Sequence, residues 1–392
     1  MPNGTPSGED GWTGTTITLP GLYGGMDSVA NSNRVTAGTA SGTGGASPIT
    51  GVPRGESPVP LSVLDLAPVA ENTTPPEALE TSTELARAAE RWGFHRYWVA
   101  EHHGMPGIAS SSPAVLLAHL AAATSTLRLG SGGVMLPNHA PLVVAERFGM
   151  LEALHPGRID LGLGRAPGTD QGTARALRRT TGTPSADDFP QQLGELLAFL
   201  RDDFPVDHPY VDVHAVPRGE PPAVWLLGSS GFSAQLAATL GLPFSFAHHF
   251  ASANTVPALE LYRDSFQPSG VLERPYTMIG VQVIAADTEE EALRLARPIA
   301  VSMLRLRSGN PGRLPTPEQA AEYEFGEREQ AFIDDWLSGA VHGTPETVRA
   351  ELDELRERTG ADELMVTANI ADRKAKLRSY ELVAEAYRLG AG

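Results

Sequence analysis

The 392-residue chain contains no cysteine. That excludes disulfides, thiolate metal sites and cysteine nucleophiles. It also lacks a basic excess: 30 Lys and Arg stand against 47 Asp and Glu, a formal net charge of -17. A nucleic-acid footprint is basic, so this balance argues against one. No apolar run is long enough to span a bilayer. The first residues have neither the basic nor the apolar region of a secretory signal. These absences suit a cytoplasmic protein with no nucleic-acid or membrane partner. No Gly-x-Gly-x-x-Gly turn follows the first predicted strand, which argues against a doubly wound dinucleotide-binding sheet, the alternative fold. What is present is a hydrophobic fraction of 41%, enough for the core of one large domain or two ordinary ones.

Residues 1–58 are rich in Gly, Ser, Thr, Pro and Asn. Such a composition buries too little apolar surface to offset the entropy of ordering. It predicts a disordered extension without a catalytic role. Nothing within 59–392 reads as a linker, so that span is expected to be one domain.

From residue 61 onward short apolar runs alternate with longer amphipathic ones. Strands are expected near 61–66, 94–100, 127–136, 158–165, 223–228, 243–247, 276–286 and 363–367, each followed by a helix. The first helix has a clear start: Thr74 can cap, Pro75 suits the first helical position and Glu77 completes a capping box. Residues 166–188 read as a polar loop, and 308–343 break the rhythm with Pro, Gly and mixed charge, part of them helical. Strand–helix alternation implies a parallel sheet. Eight such units predict an α/β fold, a (β/α)8 TIM barrel with insertions, whose functional groups gather at the C-terminal ends of the strands.

The strand from Arg158 to Arg165 is the most informative. Ile159, Leu161 and Leu163 alternate with Asp160, Gly162 and Gly164, so one face is apolar and the other nearly bare. A bare face marks a close approach to the backbone. Arg165 ends the strand, and Arg158 with Asp160 reads as a local pair at its start. At a neighbouring strand end Ser229, Ser230, Gly231, Phe232 and Ser233 turn into a helix. A helix N-terminus offers unpaired N–H groups and a positive dipole end. With Arg165 it describes a phosphate cradle; an ordinary serine-capped helix beside a surface arginine is the alternative.

Glu101, His102 and His103 follow the second strand. Adjacent histidines on an extended chain point to opposite sides, and no metal-spaced partner lies nearby in sequence, so no metal site is expected. One histidine in the barrel mouth suits acid/base work or hydrogen bonding. Gly132 and Gly133 lie inside the third strand, where paired glycines fit a flat ligand or a tight bend. Asn138 and His248 are weaker candidates for the pocket, and His95 sits at the opposite face.

In order along the chain, 98–103, 129–137, 156–165 and 227–233, with a Gly343-Thr344-Pro345-Glu346 stretch near the end, resemble the bacterial luciferase-like monooxygenase family. The resemblance starts at about residue 61. It implies a TIM-barrel flavoprotein that takes up reduced FMN from a separate flavin reductase. With O2 the flavin would form a C4a-(hydro)peroxyflavin and oxygenate a small organic substrate. The resemblance places the flavin phosphate on Arg165 with Ser229, Ser230, Gly231 and Ser233. It places a non-proline cis peptide at Gly132–Gly133 under the isoalloxazine, the catalytic histidine at His102 and an orienting role at Glu101. It implies a homodimer and a mobile segment over the substrate at 308–343. The luciferase cysteine at the end of the fourth strand is replaced here by Gly164, and the phosphate-site glutamate by Ser229. These departures argue against light emission. Hydride transfer with the deazaflavin F420 is the alternative within the superfamily. A flavin-binding protein without turnover is a second, and an unrelated TIM-barrel lyase or hydrolase, with no flavin affinity, a third.

Overall fold

The computed structural model describes residues 49–166, 168–178 and 188–390. The elements run β1 (Leu61–Asp65), α1 (Pro75–Trp92), β2 (Arg96–Val99), α2 (Pro113–Ala123), β3 (Arg128–Met135), α3 (Pro141–Leu154), β4 (Ile159–Gly164), α4 (Gln171–Arg178), α5 (Phe189–Arg201) and β5 (Ala223–Gly228). Then follow α6 (Gly231–Leu240), β6 (Phe244–Phe246), α7 (His248–Ala251), α8 (Thr255–Ser265), β7 (Thr277–Ala285), α9 (Glu289–Arg307), α10 (Pro317–Ala321), α11 (Glu327–Ser338), β8 (Val341–Gly343), α12 (Pro345–Thr359), β9 (Glu363–Thr367) and α13 (Arg373–Ala386). Strands β1 to β7 and β9 pair in parallel, and the β6–β7 and β9–β1 pairings close the ring. The predicted eight-stranded barrel is therefore the fold. The short β8 was not expected. It extends β7 beyond the barrel, with Val283 opposite Val341. No helix among the described residues is long and apolar enough to cross a membrane.

Helix starts follow local chemistry. The Glu77 carboxylate accepts the Thr74 N–H at 2.8 Å, and Asp372 accepts from the Ala375 N–H at 2.8 Å. Each satisfies a donor that the helix itself leaves unpaired.

The barrel interior is filled in layers. At the N-terminal end Arg96 lies between Asp160 (2.8 Å) and Glu363 (2.7 Å). Arg128 holds the second oxygen of Asp160, and Tyr276 and Ser62 donate to Glu363. Above this layer Trp98 and Trp225 meet edge to face at 5.3 Å, with Met278 and Met365 around them. Apolar side chains and neutralised charges thus plug the lower barrel interior, and the cavity at the upper mouth lies above them.

Three expectations are corrected, and a fourth stretch, 308–343, is partly helical as expected. Asp160 pairs with Arg96 and Arg128, whereas Arg158 turns outward and donates to the carbonyls of Leu127 and Thr124. Arg158 lies before β4, which begins at Ile159, so the alternation that turns Asp160 into the barrel does not govern it, and Asp160 takes partners across the barrel instead. The boundary at residue 58 lies too late: Ile49 is buried in the core, its carbonyl accepts from Arg96 at 2.8 Å, and the Gly51 N–H donates to the Tyr276 hydroxyl. These contacts are mostly made by backbone atoms, which composition does not report. The rest of the expected extension, residues 1–48, lies outside the described residues. The polar stretch at 166–188 contains α4, with residues 167 and 179–187 outside the described residues. Finally, 308–343 forms α10, α11 and β8. Arg305 and Arg307 of α9 stack on Tyr323 and Phe332, at 5.9 and 4.7 Å.

Candidate functional site

The C-terminal mouth holds a cavity lined by Leu64, Trp98, Ala100, Leu227, Phe246 and Met365 among its apolar walls, and by His102, His249, Arg165, Ser229, Ser230 and Ser233 among its polar ones. Strand parity explains who enters. Along β2, Trp98 and Ala100 face in and His102 follows them, while Glu101 faces out.

The floor is glycine. Gly132, Gly133 and Gly164 line the cavity, and the Gly132–Gly133 peptide is cis, as the resemblance implies. A Cβ on Gly132 would stand 2.8 Å from Leu64 and 3.1 Å from Trp98. Below it, a Cβ on Gly162 would stand 2.1 Å from the Ser131 carbonyl oxygen. The bare strand face seen in the sequence is thus used twice: for packing at Gly162 and for open floor at Gly164.

Strands β4 and β5 are hydrogen-bonded neighbours, which brings Arg165 to the 229–233 turn. Its guanidinium stacks on Phe232, 4.3 Å from the ring centre. Among the described residues no carboxylate pairs with it. Ser230 is the N-cap of the ten-residue α6, in extended conformation, so the N–H groups of Gly231, Phe232 and Ser233 are those the helix leaves without internal partners. Gly231 is buried at the helix start and does not itself line the cavity. Half-buried cation, serine hydroxyls and helix terminus converge on one spot, the donor set that suits a phosphate.

His102 lines the cavity, with its Nδ1 buried and without a partner. Burial pushes its pKa down to about 4, so the ring is neutral at pH 7. Glu101 is 1% exposed and does not line the cavity. Its Oε1 lies 2.9 Å from His103 Nε2 and 2.8 Å from His139 Nε2, and Oε2 accepts the Met135 N–H at 3.3 Å. Burial alone would raise the Glu101 pKa, but the bonds to His139 and His103 outweigh it and hold it below the usual carboxylate range. Glu101 therefore braces the ends of β2 and β3 from outside the cavity, a place that suits the orienting role the resemblance implies. The sequence offered no partner at metal spacing; the fold supplies His139, and the ligating atoms of Glu101, His103 and His139 lie within 4.8 Å of one another. Within that cluster the Glu101 carboxylate is hydrogen-bonded to both imidazoles.

Two weaker candidates are displaced. Asn138 is buried outside the cavity. His248 is buried against Thr255, with Nδ1 2.7 Å from its hydroxyl, and the cavity histidine is His249. Strand parity could not separate the pair, because β6 ends at Phe246 and the chain turns helical at His248. None of 308–343 lines the cavity; the expected covering segment lies against α9 instead.

Three histidines define an acid sensitivity. Burial first of all lowers the pKa of His95, His102 and His248 to about 4 each. The unfolded chain takes up these protons near 6.5. Between pH 6.5 and 4 it therefore binds more protons than the native state, and stability falls as the pH drops through that window. Thermal unfolding scanned from pH 8 to 4.5 should show Tm constant above about pH 7 and declining below 6.5; a Tm independent of pH across the window would contradict the assignment.

A closed (β/α)8 barrel thus carries a glycine floor, an apolar cavity and, at the same C-terminal mouth, a cation, serine hydroxyls and a helix start. The chain belongs to the luciferase-like monooxygenase family, whose sequence model matches residues 59–363. It is 50% identical over 325 residues to a luciferase-like monooxygenase of Escherichia coli strain K12, covering 83% of this chain and 96% of that one. It is 37% identical over 329 residues to the N-acetyl-S-alkylcysteine monooxygenase of Bacillus subtilis, covering 83% and 97%. Among solved structures, apo-MsnO8 shares 40% identity at a TM-score of 0.75, covering 84% of this chain and 99% of that one.

Proposed function

We propose that the protein is a monooxygenase that uses reduced FMN and O2 to oxygenate a small organic substrate. The observation that carries this reading is Arg165: a half-buried cation without a carboxylate partner among the described residues, held on Phe232 beside the start of α6 and facing a bare glycine floor. Arg165, Ser229, Ser230, Ser233 and the first N–H groups of α6 would hold the phosphate, and Gly132, Gly133 and Gly164 would leave room for the ring system. Reduced FMN, when bound, supplies the activation of O2 and the delivery of one oxygen atom. The chain's own groups bind it, orient it and keep water away. His102, neutral at pH 7, is able to take or return a proton at its cavity-facing nitrogen, and Glu101 fixes the strand end that carries it.

The test is a pair of titrations with reduced FMN and reduced F420, followed by O2 consumption with a reductase supplying the flavin. FMN should bind and O2 should be consumed. Binding of F420 with no FMN affinity would turn the reading to hydride transfer, since F420 does not activate O2. His102→Ala should keep FMN affinity within about threefold and lower coupled oxygenation by about 10²-fold or more, the usual share of a positioned acid/base group. Undiminished oxygenation in that variant removes His102 from the chemistry.

The same reading includes a homodimer in the cytoplasm. Helix α2 carries no charged residue, and Val115 on it, with Met150 and Leu154 on α3, is exposed. Exposed apolar side chains on adjacent helices suit burial against a second copy. Light scattering should give twice the 41.5 kDa chain mass, and Val115→Glu with Met150→Glu should return the monomer.

A further inference from the structure

We infer that His249 is a substrate-reading residue, a hydrogen-bond acceptor that selects neutral, largely apolar molecules carrying an O–H or N–H donor. The inference rests on the oxygenase reading above and narrows its substrate class.

His249 opens from α7 into the cavity. Its ring packs on Phe250, with ring centres 4.4 Å apart, and against Gly280 of β7. A Cβ at Gly280 would stand 3.0 Å from both Cε1 and Nδ1, so the missing side chain gives the imidazole its seat. His249 Nδ1 lies 2.9 Å from the Gly280 carbonyl oxygen. A carbonyl only accepts, so Nδ1 carries the hydrogen. Burial lowers the pKa of the ring, and a neutral imidazole has one N–H; Nε2 is then a bare acceptor. Among the described residues Nε2 has no hydrogen-bond partner. To donate from Nε2 instead, the ring would have to surrender its bond to Gly280.

His102 differs in this respect. Among the described residues its Nδ1 has no partner, so no hydrogen bond at that nitrogen fixes its tautomer, and it is free to exchange a proton. The two imidazoles therefore divide the work: His102 moves a proton, and His249 holds a donor in place.

The charges of the cavity set the rest of the class. Its described lining includes no Asp or Glu, and Arg165 is the single Arg or Lys among those residues. Arg165 lies in the phosphate cradle. With both imidazoles neutral, a charged substrate would leave its charge unpaired against apolar walls, which is costly. A neutral molecule with one donor would satisfy the one fixed acceptor.

Two measurements test this. In nitrogen-15 NMR of the wild-type protein, the His249 ring should show a protonated Nδ1 and a bare Nε2; a protonated Nε2 overturns the inference without reference to any ligand. In calorimetry on the FMN-loaded protein, 4-ethylphenol should bind about 5- to 10-fold more tightly than 4-ethylanisole, the worth of one hydrogen bond. His249→Phe should abolish that preference while FMN affinity stays unchanged, and His249→Gln, which keeps an acceptor, should retain part of it. Equal binding of the two probes by the wild type, or a preference surviving in His249→Phe, overturns the inference. Failure of the oxygenase reading would be seen separately, as absence of FMN binding, and the probe comparison is then made on the flavin-free protein.

Discussion

Asp160→Ala should destabilise the barrel by about 3–5 kcal/mol, the cost of removing one partner from a buried ion pair. Asp160 is fully buried and holds Arg96 on one oxygen and Arg128 on the other, with the Trp98 indole N–H at 3.0 Å. Burial alone would raise its pKa, but Arg128 and Arg96 outweigh that and keep it below the ordinary aspartate range. Deleting the carboxylate leaves two guanidinium groups short of a partner in a dry layer, and the desolvation already imposed on them is no longer offset. Single domains are stable by only about 5–15 kcal/mol, so the variant should show a much lower urea midpoint or fail to accumulate folded. Glu291→Gln is the control. It breaks the exposed pair with Arg294 and should cost less than about 1 kcal/mol. Equal effects of the two substitutions would show that the buried layer does not hold the barrel.

Arg165→Ala should weaken FMN binding by at least about 30-fold, as the loss of charge-assisted bonds worth 2 kcal/mol or more requires. Arg165→Lys should fall between, because an ammonium keeps the charge and loses the planar fork. Riboflavin lacks the phosphate, so its affinity should hardly change in either variant. That comparison separates phosphate recognition from collapse of the pocket. FMN affinity unchanged in Arg165→Ala would remove Arg165 from the cradle.

Much of this was legible in the chain. The eight apolar runs and the cap at Thr74 are local signals, because pleat and helix period act over a few residues. The glycine face of β4 was readable for the same reason. The pairing of Arg165 with the 229–233 turn needed only strand order, since consecutive strands of a parallel barrel are neighbours. Alternation said only that His102 and His103 point to opposite sides; the resemblance singled out His102.

The sequence by itself determined the barrel and the end at which Arg165 meets the 229–233 turn, both of which follow from local periodicity and strand order. Only the tertiary structure decided that Glu101 braces His103 and His139 instead of entering the cavity, that Asp160 answers to Arg96 and Arg128, and that His249 rather than His248 faces the cavity. Arg96 and Glu363 are 267 residues apart, and Glu101 and His139 are 38 apart. Which side chains meet across a closed ring depends on register and shear. His249 depends on a change from strand to helix, where alternation no longer says which way a side chain points.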